Sequence, residues 1–422
     1  MIASAAFAGK HYAVLGLARS GLATVRALLA SGARVTAWDG NADARARLPG
    51  GAALADPLEA DLAGLAGVVV SPGVPINRHP IADRARAAGV PLIGDIELFA
   101  EARAALPPHR VVGITGTNGK STTTALTHHI LATAGVPSLM GGNIGLPILA
   151  QEPLPAGGVY VLELSSYQID LTRSLDCDVA VLLNITPDHL DRYDGFAGYA
   201  ASKERLFAMQ SPGRTAVIAT DDAETQRIAA TLAPVRVSAA DIADQTRWPA
   251  LQGPHNAQNA AAAIAVCRAL GLGDDAIEAG LASYPGLPHR MERVAVKNGV
   301  LFVNDSKATN PTSTAPALAA YPAVRWILGG RAKTGDLDAC APHFGHVRSA
   351  YTIGEAGAIY AALLAPHFPV TECGVLEEAV RRAANDAEPG DVVLLSPACA
   401  SFDQYSDFEA RGAAFRAAVG AI

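Results

Sequence analysis

The chain has 422 residues, 50% of them hydrophobic and 17% charged, with a formal net charge of −7. That length exceeds one ordinary core and calls for two or three domains, and the acidic balance argues against a general nucleic-acid or anionic-membrane binder. The five cysteines form no C-x-x-C pair, so neither a zinc site nor a disulfide framework is indicated; no basic segment precedes a long apolar core at the N-terminus and no run of about 18 apolar residues occurs, so a soluble cytoplasmic protein is expected.

From the N-terminus, short apolar runs alternate with helical patterns. "YAVLGL" is followed by "SGLATVRALLASG", then by "RVTAWD", "GVVVSPG" and "PLIG". This is βαβ grammar and predicts a mainly parallel sheet. "GLARSG" follows the first strand and opens a helix. Against a G-x-G-x-x-G dinucleotide fingerprint, Gly16 and Gly21 fit, but Ala18 occupies the middle position and hinders close approach to a pyrophosphate. Asp39 ends the second strand where a ribose-binding acid would sit, or else caps a tight turn. "SPG" at 71–73 is expected on the same edge of the sheet. "DIELFAEARAAL" reads as a connecting helix, broken by "PPHR".

A second series begins at "RVVGITG". Its loop, "VVGITGTNGKST" at 111–122, departs from G-x-x-x-x-G-K-[ST]: Ile114 stands where the first glycine belongs, and the glycines fall at 113, 116 and 119. The context is still that of a phosphate loop, a β-branched strand before it and a plausible helix after it. Backbone N–H groups and the helix N-terminus suit an anion, Lys120 suits β/γ-phosphates, and the Ser121 hydroxyl can reach Mg²⁺. The bland alternative is a capped helix with a surface lysine. "VLELSSYQ" places Glu163 at the end of an apolar strand, a costly position for a carboxylate unless it is paired or metal-bound. "LLNITPDHLDRY" adds Asp188 and His189; alone, His189 reads as structural, and beside Lys120 and Glu163 a Mg²⁺ role is the better reading. Lys203, in "ASKERLF", reads from composition as a solvated helical charge. "TAVIAT" and the alanine-rich "NAQNAAAAIAVCRALG" follow, and "YPGLPHR" at 284–290 marks a break.

The third series starts at "MERVAVKNGVLFVNDS", where Asn298-Gly299 signals a β-hairpin. Three later strands end in polar words, "FVNDSKATN", "WILGGRAK" and "LLSPACAS", expected to face one crevice beyond the strands' carboxyl ends. Their lysines and hydroxyls, on Asp305-neighbouring Lys307, Thr309, Lys333 and Ser401, suit a small anionic ligand such as a carboxylate. The expected architecture is α/β with three domains: a Rossmann-like domain at 1–97, a central P-loop ATPase-like domain at 98–287 with a mainly parallel sheet, and a C-terminal Rossmann-like domain at 288–422.

On the T-G-T-N-G-K-S loop with its glycine spacing, "ELSSYQ", "PDHLDRY", "GLPHR", "DSKATN" at 305–310 and "SPACASFDQYSDFEARG" at 396–412, the whole chain resembles the Mur ligase family, whose members build the peptide stem of bacterial cell-wall precursors. The third-domain words look like those of members that add D-glutamate. The resemblance implies an ATP-dependent ligase that joins D-glutamate to UDP-N-acetylmuramoyl-L-alanine through an acyl phosphate, with domain closure, acting as a monomer on small molecules and binding no nucleic acid. It implies ATP contacts at Gly116, Thr117, Asn118, Gly119, Lys120, Ser121, Thr122, Asn259, Arg290 and Asp305. Catalytic roles fall on Lys120, Glu163, His189 and Lys203, and a Mg²⁺ site on Ser121, Glu163, His189 and Lys203, the last as a CO₂-derived carbamate. Asn143 matches a residue near the metal and the muramoyl substrate. Thr309, Lys333, Ser401 and Phe408 match D-glutamate contacts, with Lys307 close by. Arg19, Ser20, Asp39, Ser71 and Gly73 fall where UDP binds, although Gly40-Asn41 after Asp39 departs from the family pattern. Two rivals are another amide ligase of the family, such as a folylpolyglutamate-type enzyme, and a non-enzymatic nucleotide-binding regulator.

Overall fold

Each of the three series of apolar runs becomes one sheet in the computed structural model, which describes residues 1–190, 192–332 and 335–422. The first sheet comprises β1 (His11–Leu15), β2 (Arg34–Trp38), β3 (Ala53–Leu54), β4 (Gly67–Val70) and β5 (Leu92–Ile93), all parallel, in the order β3-β2-β1-β4-β5. The central sheet comprises β6 (His109–Thr115), β7 (Ser138–Gly142), β8 (Gly158–Glu163), β9 (Val179–Leu182), β10 (Thr215–Ala219) and β11 (Val235–Val237). It is also all parallel, in the order β11-β10-β9-β6-β8-β7. The third comprises β12 (Glu292–Lys297), β13 (Val300–Asn304), β14 (Val324–Gly329), β15 (Val347–Ile353), β16 (Val370–Gly374) and β17 (Val392–Leu395), in the order β12-β13-β17-β14-β15-β16.

Strands such as β4, β8, β9 and β17 are buried at every residue, as unbroken apolar runs must be when helices cover both faces of a parallel sheet. Among the described strands only β12 runs antiparallel to its neighbour. Asn298 and Gly299 both take positive φ, 50° and 78°, which makes the two-residue turn that pairs Lys297 with Val300. Patterning does not mark the edge strands β3, β7 and β11, which are short or rich in glycine.

Two compact units emerge: Met1–Ala243 with Asn256–Ala282, and Asp244–His255 with Ser283–Ile422. The first unit holds two sheets joined by a packed seam. Tyr12 and Val14 of β1 share one apolar core with Tyr160 and Leu162 of β8. The Gly94 N–H donates to the Leu171 carbonyl at 2.9 Å. Buried Glu97 accepts from the N–H groups of Arg173 and Ser174 and from the Ser174 hydroxyl. Position 97/98 lies within the helix Asp95–Ala102. Among the described residues no helix is long and apolar enough to cross a membrane. Polar words gather at the carboxyl ends of the strands of each sheet, where open α/β folds hold ligands.

Candidate active site

The shifted glycine spacing of the loop has a simple cause. Ile114 is still inside β6, fully buried and registered opposite Glu163 of β8. The loop begins at Gly116 (φ 152°), and the helix Lys120–Thr133 starts behind Gly119, its N-cap, at φ 83° with no side-chain cap. A Cβ on Gly119 would stand 2.2 Å from Asn259 Oδ1, and one on Gly116 3.0 Å from Leu183 Cβ. Both glycines are therefore demanded by packing and backbone conformation as well as by any anion. The N–H groups of Thr117 and Asn118 turn inward, to the Asn184 carbonyl and Asn184 Oδ1, each at 2.8 Å. The Thr117 hydroxyl meets the Thr186 carbonyl and Tyr199. Thr117 and Asn118 thus shape the loop from beneath, and the helix end presents its donor groups to an anion. Asn259, buried, accepts from the Thr123 hydroxyl at 3.2 Å. Ser121 and Thr122 lie buried in the helix's first turn.

Two lysines converge on one carbonyl. Lys120 Nζ donates to the Gly116 and Thr117 carbonyls at 3.0 and 2.9 Å, and Lys203 Nζ donates to the same Gly116 carbonyl at 2.9 Å. Lys203, which composition assigns to solvent, is instead only 1% exposed, on the helix Gly195–Ala208 packed under the loop. Burial, and then the Lys120 charge, lower its pKa to about 7.

Glu163 is 2% exposed at the end of β8. Its Oε1 accepts from Asn143 Nδ2 at 3.0 Å, and its Oε2 has no hydrogen-bond partner among the described residues. Gly142 (φ 85°) lets the chain pass so close to the Glu163 carbonyl that a Cβ there would lie 2.1 Å from it, which brings Asn143 into reach. A buried carboxylate oxygen without a partner, with the Ser121 hydroxyl available at the neighbouring helix end, fits a hard divalent cation such as Mg²⁺. His189 stands at the solvent side: φ is 51°, its Nε2 lies 3.5 Å from Asp188 Oδ2, and its ring packs on Tyr167. Among the described residues no three His, Cys, Asp or Glu side chains close into a cation cluster.

In the second unit the polar words are tied together by Arg411, which patterning did not single out. Its guanidinium is 1% exposed and donates to the Ser306 hydroxyl and carbonyl and to the Cys399 carbonyl, at 2.9–3.0 Å. The words at 304–310 and 396–401 are thereby fastened to one buried cation, whose pKa burial lowers to about 10. Arg331 and Ala400 exchange backbone hydrogen bonds, joining the word after β14. Asp305 is buried and accepts from Ser396 Oγ at 2.8 Å and from the Met291 N–H at 3.2 Å; burial raises its pKa to about 7, opposed by Ser396 and Arg290. Ser401 is buried, Thr309 partly exposed, and Lys307 Nζ stands 5.4 Å from the centre of the Phe408 ring. Lys333 lies outside the described residues.

The first-sheet crevice is closed upon itself. Asp39 Oδ2 accepts from the Leu17 N–H at 2.6 Å and Oδ1 from the Asn41 N–H at 2.8 Å. The Ser71 hydroxyl donates to the Gly16 carbonyl at 3.0 Å, and a Cβ on Gly21 would lie 1.8 Å from that oxygen. Arg19 donates to the Gly145 carbonyl at 2.9 Å, and Gly73 is exposed. A small pocket lies beneath, lined by Ser20, Thr24, Val69, Ser71, Pro72 and Asp95. Asp95 is buried, its Oδ2 has no partner among the described residues, and burial raises its pKa to about 6.

Comparison with known proteins identifies the assembly. The profile of the Mur ligase middle domain matches residues 114–249, and that of the Mur ligase glutamate ligase domain matches residues 289–399. A relative named UDP-N-acetylmuramoylalanine–D-glutamate ligase from Novosphingobium aromaticivorans is 66% identical, across 100% of this chain and 97% of its own. One of the same name from Sphingopyxis alaskensis is 65% identical across 100% of both. Among solved structures, the UDP-N-acetylmuramate-alanine ligase of Thermotoga maritima shares the fold, with a TM-score of 0.60 at 16% identity, covering 98% of this chain and 99% of that one. On those two profile matches and on relatives 65–66% identical over nearly the full length of both chains, this chain belongs to the Mur ligase family.

Proposed function

We propose that this chain joins D-glutamate to UDP-N-acetylmuramoyl-L-alanine at the expense of ATP, as a cytoplasmic monomer in peptidoglycan precursor synthesis. The carrying observation is the convergence of Lys120 and Lys203 on the Gly116 carbonyl, with the unpartnered Glu163 oxygen at the end of the adjoining strand. The names of relatives at 65–66% identity support the choice of substrates. In this reading the L-alanyl carboxylate attacks the γ-phosphorus, ADP leaves, and an acyl phosphate forms. The amine of D-glutamate then attacks that carbonyl, loses a proton and expels phosphate.

The chain's part is positioning and charge neutralisation. Lys120 and the helix end at Gly119–Thr122 hold the triphosphate, with Asn259, Arg290 and Asp305 as further nucleotide contacts. Asn143 orients Glu163 toward the acyl end. Ser121, Glu163, His189 and Lys203 would hold Mg²⁺, which when bound offsets phosphate charge. Lys203 enters that set as a carbamate. A lysine whose pKa falls to about 7 offers the neutral amine that attacks CO₂, releasing one proton and leaving an anion. Arg19, Ser20, Asp39, Ser71 and Gly73 serve the UDP moiety, and Lys307, Thr309, Lys333, Ser401 and Phe408 the D-glutamate. Residues 1–97, 98–287 and 288–422 are the corresponding functional divisions.

ADP release, with each substrate omitted in turn, tests this reading. Release should require ATP, the muramoyl-alanine nucleotide and D-glutamate together. Equal release with a different amino acid would move the chain to another specificity within the family, and release independent of both acceptors would refute the ligase reading.

A further inference from the structure

The phosphate loop is gripped by a side-chain relay made of residues given no role above. Asn184, two residues beyond β9, brackets a loop residue: Oδ1 accepts from the Asn118 N–H at 2.8 Å, and Nδ2 donates to the Asn118 carbonyl at 3.2 Å. Asn184 Nδ2 also donates to Gln258 Oε1 at 2.9 Å, and Gln258 Nε2 donates to Asp221 Oδ2 at 2.7 Å. Asp221 is anchored in turn by the Ser238 hydroxyl at 2.7 Å and the Ala239 N–H at 3.2 Å.

A side-chain amide has two orientations that differ little in shape, and this loop tolerates one. A carboxylate offers only acceptors, so Asp221 draws the NH₂ of Gln258 and leaves Oε1 facing Asn184. Oε1 in turn draws the NH₂ of Asn184, which leaves Oδ1 for the Asn118 N–H. A flipped Asn184 would set NH₂ against N–H and carbonyl against carbonyl. Gln258 is 9% exposed, so water competes weakly for its own two bonds, while Asn118 and Asp221 at the ends of the relay are exposed.

We propose that Asn184 is a positioning residue for the nucleotide: it fixes the apex of the phosphate loop before ATP arrives, and Gln258 and Asp221 set its orientation. The inference rests on the nucleotide reading of the loop. A loop already in its bound curvature loses less freedom on binding, so loosening the relay weakens nucleotide affinity.

The test is the affinity of a non-hydrolysable ATP analogue, measured by calorimetry, alongside KM for each substrate and the thermal midpoint. Asn184→Ala and Gln258→Glu should each weaken the analogue about tenfold and raise KM for ATP alike, with KM for D-glutamate unchanged. Gln258→Glu sets a carboxylate against Asp221. Combining it with Asp221→Asn restores a donor–acceptor pair with the roles exchanged, and should bring affinity back to within about threefold of wild type. This exchange also carries the test should Asn184→Ala fold poorly. Folded single variants that bind the analogue like wild type would overturn the inference alone, as would a double variant no better than Gln258→Glu. A wild-type chain that fails to bind the analogue would remove the nucleotide reading and this inference together.

Discussion

The turn after β1 and the loop after β6 have the same local grammar, and they end in opposite electrostatic states. Each follows a buried parallel strand, turns at glycine with positive φ (Gly16 in the first, Gly116 and Gly119 in the second), and opens a helix at the carboxyl edge of its sheet. In the first, the turn's own polar groups are taken, both Asp39 oxygens by backbone N–H groups and the Ser71 hydroxyl by Gly16, and burial holds the Asp95 carboxyl beneath them toward its neutral form. In the second, two lysine side chains share one carbonyl and a buried carboxylate oxygen has no partner among the described residues. Glycine spacing is therefore compatible with either electrostatic state. What differs is the convergence of Lys120 and Lys203 beside Glu163, a cluster of charge that is costly to fold unless a ligand completes it.

If this contrast holds, substitutions in the two regions should separate catalysis from stability. Lys120→Ala and Lys203→Ala should each lower kcat about 10²–10³-fold, roughly 2.7–4 kcal/mol, by analogy with losing one preorganised donor. The thermal midpoint should change little for Lys120→Ala. Added acetate should restore part of the activity of Lys203→Ala and none of that of Lys120→Ala, since only the former would lack a carboxylate-like ligand. Rescue of both, or of neither, would contradict the carbamate.

A pH-dependent stability effect belongs to the first crevice. The folded-state pKa of Asp95 is raised from 3.8 to about 6 by burial, so the folded state holds its proton more tightly than the unfolded chain. Its stabilising contribution is complete below pH 3.8 and is lost as pH rises through about 6. Asp95→Asn should therefore gain on wild type by about 3 kcal/mol between those limits. Denaturant unfolding at the two ends of the window measures the gain, and a pH-independent difference would show that Asp95 has a partner in solution. The smallest effect is expected for Asp39→Ala, which removes the side-chain acceptors of two backbone N–H groups and should cost roughly 1.5 kcal/mol of stability. Affinity for an ATP analogue should stay at the wild-type value. A large loss there would mean that the two regions are coupled.

Much of this was legible in the sequence because the signals were local. Alternating apolar runs and helical patterns marked all three sheets, Asn298-Gly299 marked the hairpin, and Glu163 stood out as a carboxylate inside an apolar strand. The same locality hid the rest. Asn184 and Gln258 are ordinary polar residues until β9 and the helix Pro254–Ala269 bring them together across 74 positions. Arg411 reads as one more helical arginine until it reaches Ser306, 105 positions away. The edge strands β3, β7 and β11 carry too few apolar residues to signal themselves.

The sequence by itself determined which segments become strands and helices, and where glycine permits the chain to turn, because apolar periodicity and backbone sterics act over a few residues. Only the tertiary structure decided which charges matter. Lys203 and the lysines elsewhere in the chain are chemically the same side chain. What sets Lys203 apart is that its helix is packed beneath the loop, where burial and the Lys120 charge strip away the stabilisation water would give it. Desolvation depends on everything that surrounds a group, and no neighbouring letter records it.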